Sequence, residues 1–348
     1  MPLVDSVTCP HCWAKFVPGE ALWISEHSDL MGDPRLGPDH PRRFRPDRFD
    51  PTGAALDFRN FPCRRLACPE CHLEIPRAFF ESGSLFISVV GAPACGKSYF
   101  LTAMIWRLRT ILPREFALQI SDAHTVFNSR LNHYEAALFL NSRANALVNL
   151  PKTEVSGDIY FTVSKDAQVS QYLIPFVFQI SPGPNHPFAQ HANRLARVLT
   201  LYDNAGESFL PGQDSLANPV TRHLGASDVI FFLFDPLQDV RFRNLLPPRL
   251  VERDLGGLAR VYRQQSHINQ HVILQEMLLR TQHHRNQLRR EGAINLIVVV
   301  TKLDVWVSLL GTLPTLGPKL ERWQVFFYPK SKLFLRASEV SWSGPALK

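Results

Sequence analysis

The apolar positions of this chain change rhythm near residue 80. Before that point they are scattered among Pro, Gly, Asp and Arg, and no stretch holds a helical or strand period for long. From Leu85 onward, short β-rich apolar runs alternate with longer mixed segments: LFISVV (85–90), IYFTV (159–163), YLIPFVFQI (172–180), RVLTLY (197–202), VIFFLF (229–234) and INLIVVV (294–300). Several of these runs are apolar without alternation, as strands buried on both faces of a parallel sheet are. IYFTV and YLIPFVFQI are joined by the polar link SKDAQVSQ and read as an antiparallel pair near the sheet edge. Two segments carry a helical stripe. Ser98–Ile111 aligns Leu101, Met104, Ile105, Leu108 and Ile111, and residues 258–287 group Ile273, Leu274, Met277 and Leu278. The pattern predicts an α/β fold with a mostly parallel sheet flanked by helices over residues 81–348, preceded by a small module over residues 1–80.

Length agrees with two units, since 348 residues exceed one typical domain of roughly 150. With 45% hydrophobic and 20% charged residues, a packed core is available and wholesale disorder is excluded. No apolar run approaches the roughly 18 residues of a membrane span, and MPLVDSVTCPHC has neither a basic nor an apolar leader region. A cytoplasmic location is the expectation. The net charge of +7 does not concentrate into a nucleic-acid footprint. Residues 1–80 carry ten basic and eleven acidic side chains, and the remaining excess is dispersed; the cluster Arg285, Arg289 and Arg290 is not a long stripe interleaved with aromatics. The reading is a solvated surface, without nucleic acid as a partner.

The six cysteines are too few for a disulfide scaffold. Four of them form the pairs Cys9-Pro-His-Cys12 and Cys68-Pro-Glu-Cys71. Each pair suits a knuckle whose turn lets two thiolates converge, with Pro fixing the first corner. Two knuckles make a closed four-cysteine zinc site, a zinc-ribbon-like module with a long Pro- and Arg-rich insertion of 55 residues between the pairs. Cys63 is an alternative ligand or a buried thiol. His11 and His72 beside the thiolates read as surface residues.

Gly91-Ala-Pro-Ala-Cys-Gly96-Lys97-Ser98 fits G-x-x-x-x-G-K-[ST], with a strand before it and an amphipathic helix after it. Glycines there let successive backbone N–H groups converge on phosphate oxygens at a helix N-terminus. Lys97 is placed to reach the β- and γ-phosphates, Ser98 to coordinate Mg²⁺, and Tyr99 follows in the first turn. Cys95 inside the loop reads as a small buried filler. Asp203-Asn-Ala-Gly206-Glu207 follows the strand RVLTLY as a D-x-x-G segment, with Asp203 expected on Mg²⁺ and Gly206 on the γ-phosphate. Glu207 is the candidate for orienting water. Thr301-Lys302-Leu303-Asp304 follows INLIVVV and reads as a guanine pocket in which Asp304 accepts from two guanine donors that adenine lacks. Lys302 would lay its stem along the base.

These three motifs, in this order and each after a β-rich run, resemble the Ras-like and translation-factor class of P-loop GTPases over roughly residues 84–304. The resemblance implies a P-loop NTPase sheet, GTP or GDP with Mg²⁺ as cofactors, and a switch-I Thr, for which Thr153 in LPKTEVSGDIY is the candidate. Glu207 stands where that class places its water-positioning Gln. The segment from Ser98 to Asp203 is much longer than in a minimal member, and Ala337-Ser338 is a weak match to the last guanine-contacting turn. Forty-four residues follow Asp304, so the C-terminal part reads as incomplete. A zinc ribbon just before such a domain, LACPECHLEIPRAFFE leading into the loop, and FDPLQD after a main strand resemble the bacterial double-GTPase group, which is thought to act in signalling or conflict systems. The expected function is a slow GTP-hydrolysing switch whose zinc module serves structure or docks a protein partner or the switch regions. The alternatives are a non-hydrolysing adapter, or an ATP-dependent enzyme with Asp235 on Mg²⁺.

Overall fold

A computed structural model describes residues 3–140, 148, 150, 159–165, 168–210, 220–239, 242 and 269–303, with the backbone of 325–326 and 334–335. Its centre is a six-stranded sheet. In chain order the strands and long helices are β1 (Gly83–Gly91), α1 (Lys97–Phe116), β2 (Leu118–Asp122), α2 (Thr125–Phe139), β3 (Tyr160–Lys165), β4 (Gln168–Leu173), β5 (Phe176–Pro182), β6 (Arg197–Asp203), β7 (Val229–Phe234), α3 (Gln270–Leu288) and β8 (Asn295–Val300). The sheet order is β2-β5-β6-β1-β7-β8.

The expected mostly parallel P-loop sheet flanked by helices is not what the chain builds. The sheet is mixed: β6, β1, β7 and β8 run parallel, while β2 pairs antiparallel with β5 and β5 antiparallel with β6. Among the described residues, ten strand pairings are antiparallel and three are parallel. Helices of 15 residues or more number three among the described residues. The physical reason lies in the connections. A parallel neighbour needs a crossover of a dozen or more residues, whereas β3 and β4 are joined across two residues and most N-terminal strands are two or three residues long. The run YLIPFVFQI also divides at Ile174-Pro175. Its first part closes the β3–β4 hairpin as a separate two-stranded sheet, and its second part is β5.

The sheet core is built from the runs that lack alternation. Val89, Phe178, Leu199, Leu201 and Leu233 pack with Leu101 and Ile105 of α1 and Leu131 of α2. Asn128 of α2 plugs its amide into the backbone of β5, accepting from Val177 N at 2.7 Å and donating to Val177 O at 2.8 Å. Arg109 of α1 reaches Asp122 at 2.9 Å and Glu135 at 3.4 Å, tying α1, β2 and α2. α3 covers β7 through Ile273 and Met277, and Gly225 lies so close to it that an added Cβ would stand 2.7 Å from the His284 carbonyl carbon. The helical reading of residues 258–268 falls outside the described residues.

Residues 3–82 hold a four-stranded antiparallel sheet (Glu74–Ile75, Leu66–Ala67, Leu22–Ile24, Arg43–Phe44) and small hairpins. The insertion between the cysteine pairs therefore carries its own sheet, with Phe44, Ala55, Cys63 and Trp23 packed together. The burial does not stop near residue 80. One cluster joins Cys9, Cys12, Trp13, Cys68 and Cys71 to Phe86, Phe127, Tyr160 and Tyr202.

A buried four-cysteine centre and the Gly91–Ser98 loop

The two C-P-x-C segments fold alike. In each, the residue after the second cysteine takes a left-handed backbone, Trp13 and His72 both at φ 61°. In each, that residue's N–H returns to the first cysteine's carbonyl, Trp13 to Cys9 at 3.1 Å and His72 to Cys68 at 3.0 Å. In each, an N–H donates to the first thiol: His11 to Cys9 Sγ at 3.4 Å and Glu70 to Cys68 Sγ at 3.3 Å. The knuckles face one another, with Cys9 Sγ 3.7 Å from Cys71 Sγ and Cys12 Sγ 3.6 Å from Cys68 Sγ. All four sulfurs lie within 4.8 Å of one another and all four residues are buried. A tetrahedron with metal–sulfur bonds of about 2.3 Å has edges of about 3.8 Å, so the cluster can hold a metal ion such as zinc. Burial pushes the Cys9 and Cys71 thiols well above the usual range, while hydrogen bonds from Cys12, Cys71 and Cys9 pull Cys68 well below it. A metal ion binds thiolates, so loading this buried cluster would release its thiol protons.

Cys63 lies apart from this centre, donating toward Asp57 Oδ2 at 3.6 Å, and burial pushes its thiol up to about 11. His11 is not a surface residue, and His72 is half-buried. His11 is fully buried between the rings of Phe127 and Phe161, with Nε2 2.9 Å from Glu74 O. His72 Nδ1 sits 2.9 Å from Asp33 Oδ2.

The Gly91–Ser98 loop runs from the end of β1 to the start of α1. Gly91 has no room for a side chain, because an added Cβ would meet Cys95 Sγ at 2.6 Å and Leu233 O at 2.8 Å. Gly96 turns the chain at φ 97°. Lys97 folds back over the loop and donates from Nζ to Gly91 O at 3.1 Å and Ala92 O at 3.0 Å. Cys95 is buried in the sheet core, as a filler would be. Ser98 Oγ donates to Asp203 Oδ2 at 2.9 Å, so the loop and the D-x-x-G segment meet. Gly206 lies directly on the loop, where an added Cβ would stand 2.4 Å from Pro93 N. Gln238 Nε2 holds the same residue's carbonyl at 2.8 Å. Glu207 is half-buried in the short turn Gly206–Phe209, and Arg280 of α3 clasps that turn at Ser208 O (2.6 Å) and Leu210 O (3.0 Å).

The remaining expected residues are placed unevenly. Tyr99 turns its hydroxyl to the backbone of Val148 and Leu150, both at 2.9 Å. Thr301 N donates to Phe234 O at 2.9 Å, and Lys302, at φ 57°, donates to Asp235 Oδ2 at 2.6 Å. Thr153, Asp304, Ala337 and Ser338 lie outside the described residues. Two features had no signature in the sequence. Arg130 of α2 reaches within 3.9 Å of Asp203 Oδ2. A buried chain also links the knuckle to the D-x-x-G segment: Trp13 Nε1 donates to Tyr202 OH at 2.9 Å, Tyr202 OH donates to Pro10 O at 2.7 Å, and His223 stacks on Tyr202 at 4.9 Å while facing Asn204 Nδ2 at 2.8 Å.

No protein-family model matches the chain and no solved structure matches it. The chain is 26% identical over 263 residues to a Mycolicibacterium smegmatis protein named "Putative ESX-1 scaffolding and assembly protein SaeC", an alignment covering 70% of this chain and 62% of that relative. Among the described residues, no helix is long and apolar enough to cross a membrane.

Proposed function

We propose that this chain is a guanine-nucleotide-binding protein that hydrolyses GTP slowly and presents its four-cysteine unit, loaded with zinc, to a protein partner. The observation that carries the reading is the meeting of Lys97, Ser98 and Asp203 at one loop: Lys97 capping Gly91 O and Ala92 O, and Ser98 Oγ 2.9 Å from Asp203 Oδ2. A lysine, a hydroxyl and a buried carboxylate at a loop opening a helix form a donor set that suits a triphosphate with Mg²⁺. Bound Mg²⁺ would neutralise phosphate charge. Lys97 would exchange its loop carbonyls for phosphate oxygens, and Ser98 and Asp203 would hold the cation. The half-buried Glu207 would orient the attacking water. In hydrolysis the water oxygen forms a bond to the γ-phosphorus and the β–γ bridging P–O bond breaks. The electron pair stays on the β-phosphate of GDP, and the water proton leaves with inorganic phosphate. Lys302 and Asp304 would select guanine, and Thr153 would approach Mg²⁺ in the triphosphate state.

Asp235, the carboxylate that the ATPase reading would place on Mg²⁺, pairs with Lys302 of the T-K-x-D segment. The name of the mycobacterial relative speaks of scaffolding and assembly, which suits a nucleotide-gated component of a protein assembly. It equally suits a non-hydrolysing adapter, and single-turnover hydrolysis no faster than the uncatalysed reaction would favour that second reading.

The test is equilibrium binding of fluorescent GDP, GTP, ADP and ATP to the full chain with Mg²⁺. Guanine nucleotides should bind at least tenfold more tightly than adenine ones, and Lys97→Ala should abolish binding. Equal adenine binding refutes the base assignment. Tight binding by Lys97→Ala refutes the loop assignment.

A further inference from the structure

Arg130 brings a positive charge to the candidate nucleotide site from outside the three motifs. Its Nη2 lies 3.9 Å from Asp203 Oδ2, the oxygen that also accepts from Ser98 Oγ. The guanidinium lies over the Phe176 ring, 4.8 Å from its centre. Nε and Nη1 are buried and have no hydrogen-bond partner among the described residues. Tyr160 stands nearby, and burial pushes its phenol up to about 12, so it is a proton donor at neutral pH. A guanidinium has five N–H donors and no acceptor. Buried donors left over beside a carboxylate and a phosphate-type loop point to an anion with several oxygens.

We propose that Arg130 holds the terminal phosphate of the bound nucleotide. In the nucleotide-free protein it balances the charge of Asp203. When a divalent cation takes Asp203, two positive charges cannot share that carboxylate without repulsion, and the guanidinium turns to the phosphate oxygens, which supply the acceptors its buried donors lack. On this proposal a diphosphate, lacking the terminal phosphate, would not engage it. The inference rests on the proposed nucleotide reading and adds the group that distinguishes the triphosphate from the diphosphate.

The experiment compares the zinc-loaded full chain with Arg130→Ala and Arg130→Lys, measuring affinities for fluorescent GDP and for a non-hydrolysable GTP analogue with Mg²⁺. Arg130→Ala should keep its GDP affinity within about twofold and lose about tenfold or more for the triphosphate analogue. Arg130→Lys should fall between, because an ammonium keeps the charge and loses the fork. An unchanged triphosphate affinity in Arg130→Ala overturns the proposal, and so does an equal loss for both nucleotides, which would mark a structural role. If Arg130→Ala does not fold, the same comparison on Arg130→Lys decides, since it keeps a cation between Asp203 and Phe176. If the unaltered chain binds neither nucleotide, the nucleotide reading falls and this proposal with it. If it binds both and the variants match it, this proposal alone falls.

Discussion

Replacing Tyr202 by Phe removes one oxygen from the joint between the four-cysteine unit and the central sheet. Tyr202 is fully buried, and burial holds its phenol well above the usual range, so the hydroxyl is protonated and can serve both neighbours. It accepts from Trp13 Nε1 at 2.9 Å and donates to Pro10 O at 2.7 Å. Phe preserves the ring and its stacking on Phe86 and His223, so little packing is lost. The cost is polar: an indole N–H and a carbonyl stay behind without this partner, each worth about 1–3 kcal/mol when left unpaired. A carbonyl has a second lone pair, so the expected destabilisation is about 2–4 kcal/mol rather than the full sum. Urea unfolding of the zinc-loaded chain, followed by tryptophan fluorescence, measures it. In a Trp13→Phe background the same change should cost about 1 kcal/mol less, because the stranded N–H is already gone. A Tyr202→Phe protein within about 0.5 kcal/mol of the unaltered chain would refute the bridge, as would identical costs in the two backgrounds.

Cys68→Ser should eliminate the bound metal and release the N-terminal unit to proteolysis, since zinc supplies such modules with about 10 kcal/mol or more of folding energy; one metal equivalent retained at native thermal stability would contradict the four-cysteine assignment. Gly206→Ala should weaken nucleotide binding and destabilise the chain by about 1–3 kcal/mol, because the new Cβ would meet backbone atoms of Pro93 that cannot move aside as a side chain would; an unaltered melting temperature would show that the turn has slack. Burial alone would raise the Asp57 carboxyl, but the Phe61 N–H, the Ser25 hydroxyl at 2.7 Å and the Arg59 N–H hold it below its ordinary value. The ionised form is therefore favoured by folding. The stability advantage over Asp57→Asn should be complete above about pH 4, and should vanish as the pH falls through the lowered folded value. A pH-independent difference between the two proteins would refute this.

The apolar runs from Leu85 onward located β1, β6 and β7, whose side chains are mostly buried, and also β8, an edge strand that is apolar in composition although Leu296 and Val298 are exposed. β2 and α2 gave no comparable signal. Leu118–Asp122 alternates over only five residues at the sheet edge, and α2 buries a mixture of Phe127, Asn128, Leu131, Tyr134 and Glu135 that includes two polar positions. The direction of β5 was not legible either, since strand polarity is set by which neighbour captures a backbone, and no side-chain pattern records that choice. The cysteine pairs were legible because metal chemistry fixes both residue type and spacing. Arg130 was not, because its meaning comes from a contact with Asp203 across 73 positions of chain, and an isolated arginine on a helix carries no motif.

The knuckles use one backbone conformation to face two directions. At the first, the left-handed residue is Trp13, whose indole reaches Tyr202, the residue just before Asp203. At the second it is His72, whose ring reaches Asp33 while its carbonyl accepts from Arg43 Nε at 3.0 Å, both within the insertion. The four-cysteine centre is therefore the point where the insertion and the central sheet are held to one another. Its burial follows from that position: His11, between the two cysteines of the first knuckle, is enclosed by Phe127 of α2 and Phe161 of β3 and could not be so if the knuckle were a free surface ornament. Rigid packing of this kind transmits displacement instead of absorbing it. A movement of Tyr202 would carry Asn204 through His223 and would pull on Pro10 and Trp13 at the other end. The segment that meets Ser98 and the Gly91–Gly96 loop and the segment that carries the first cysteine pair thus share a single set of buried contacts.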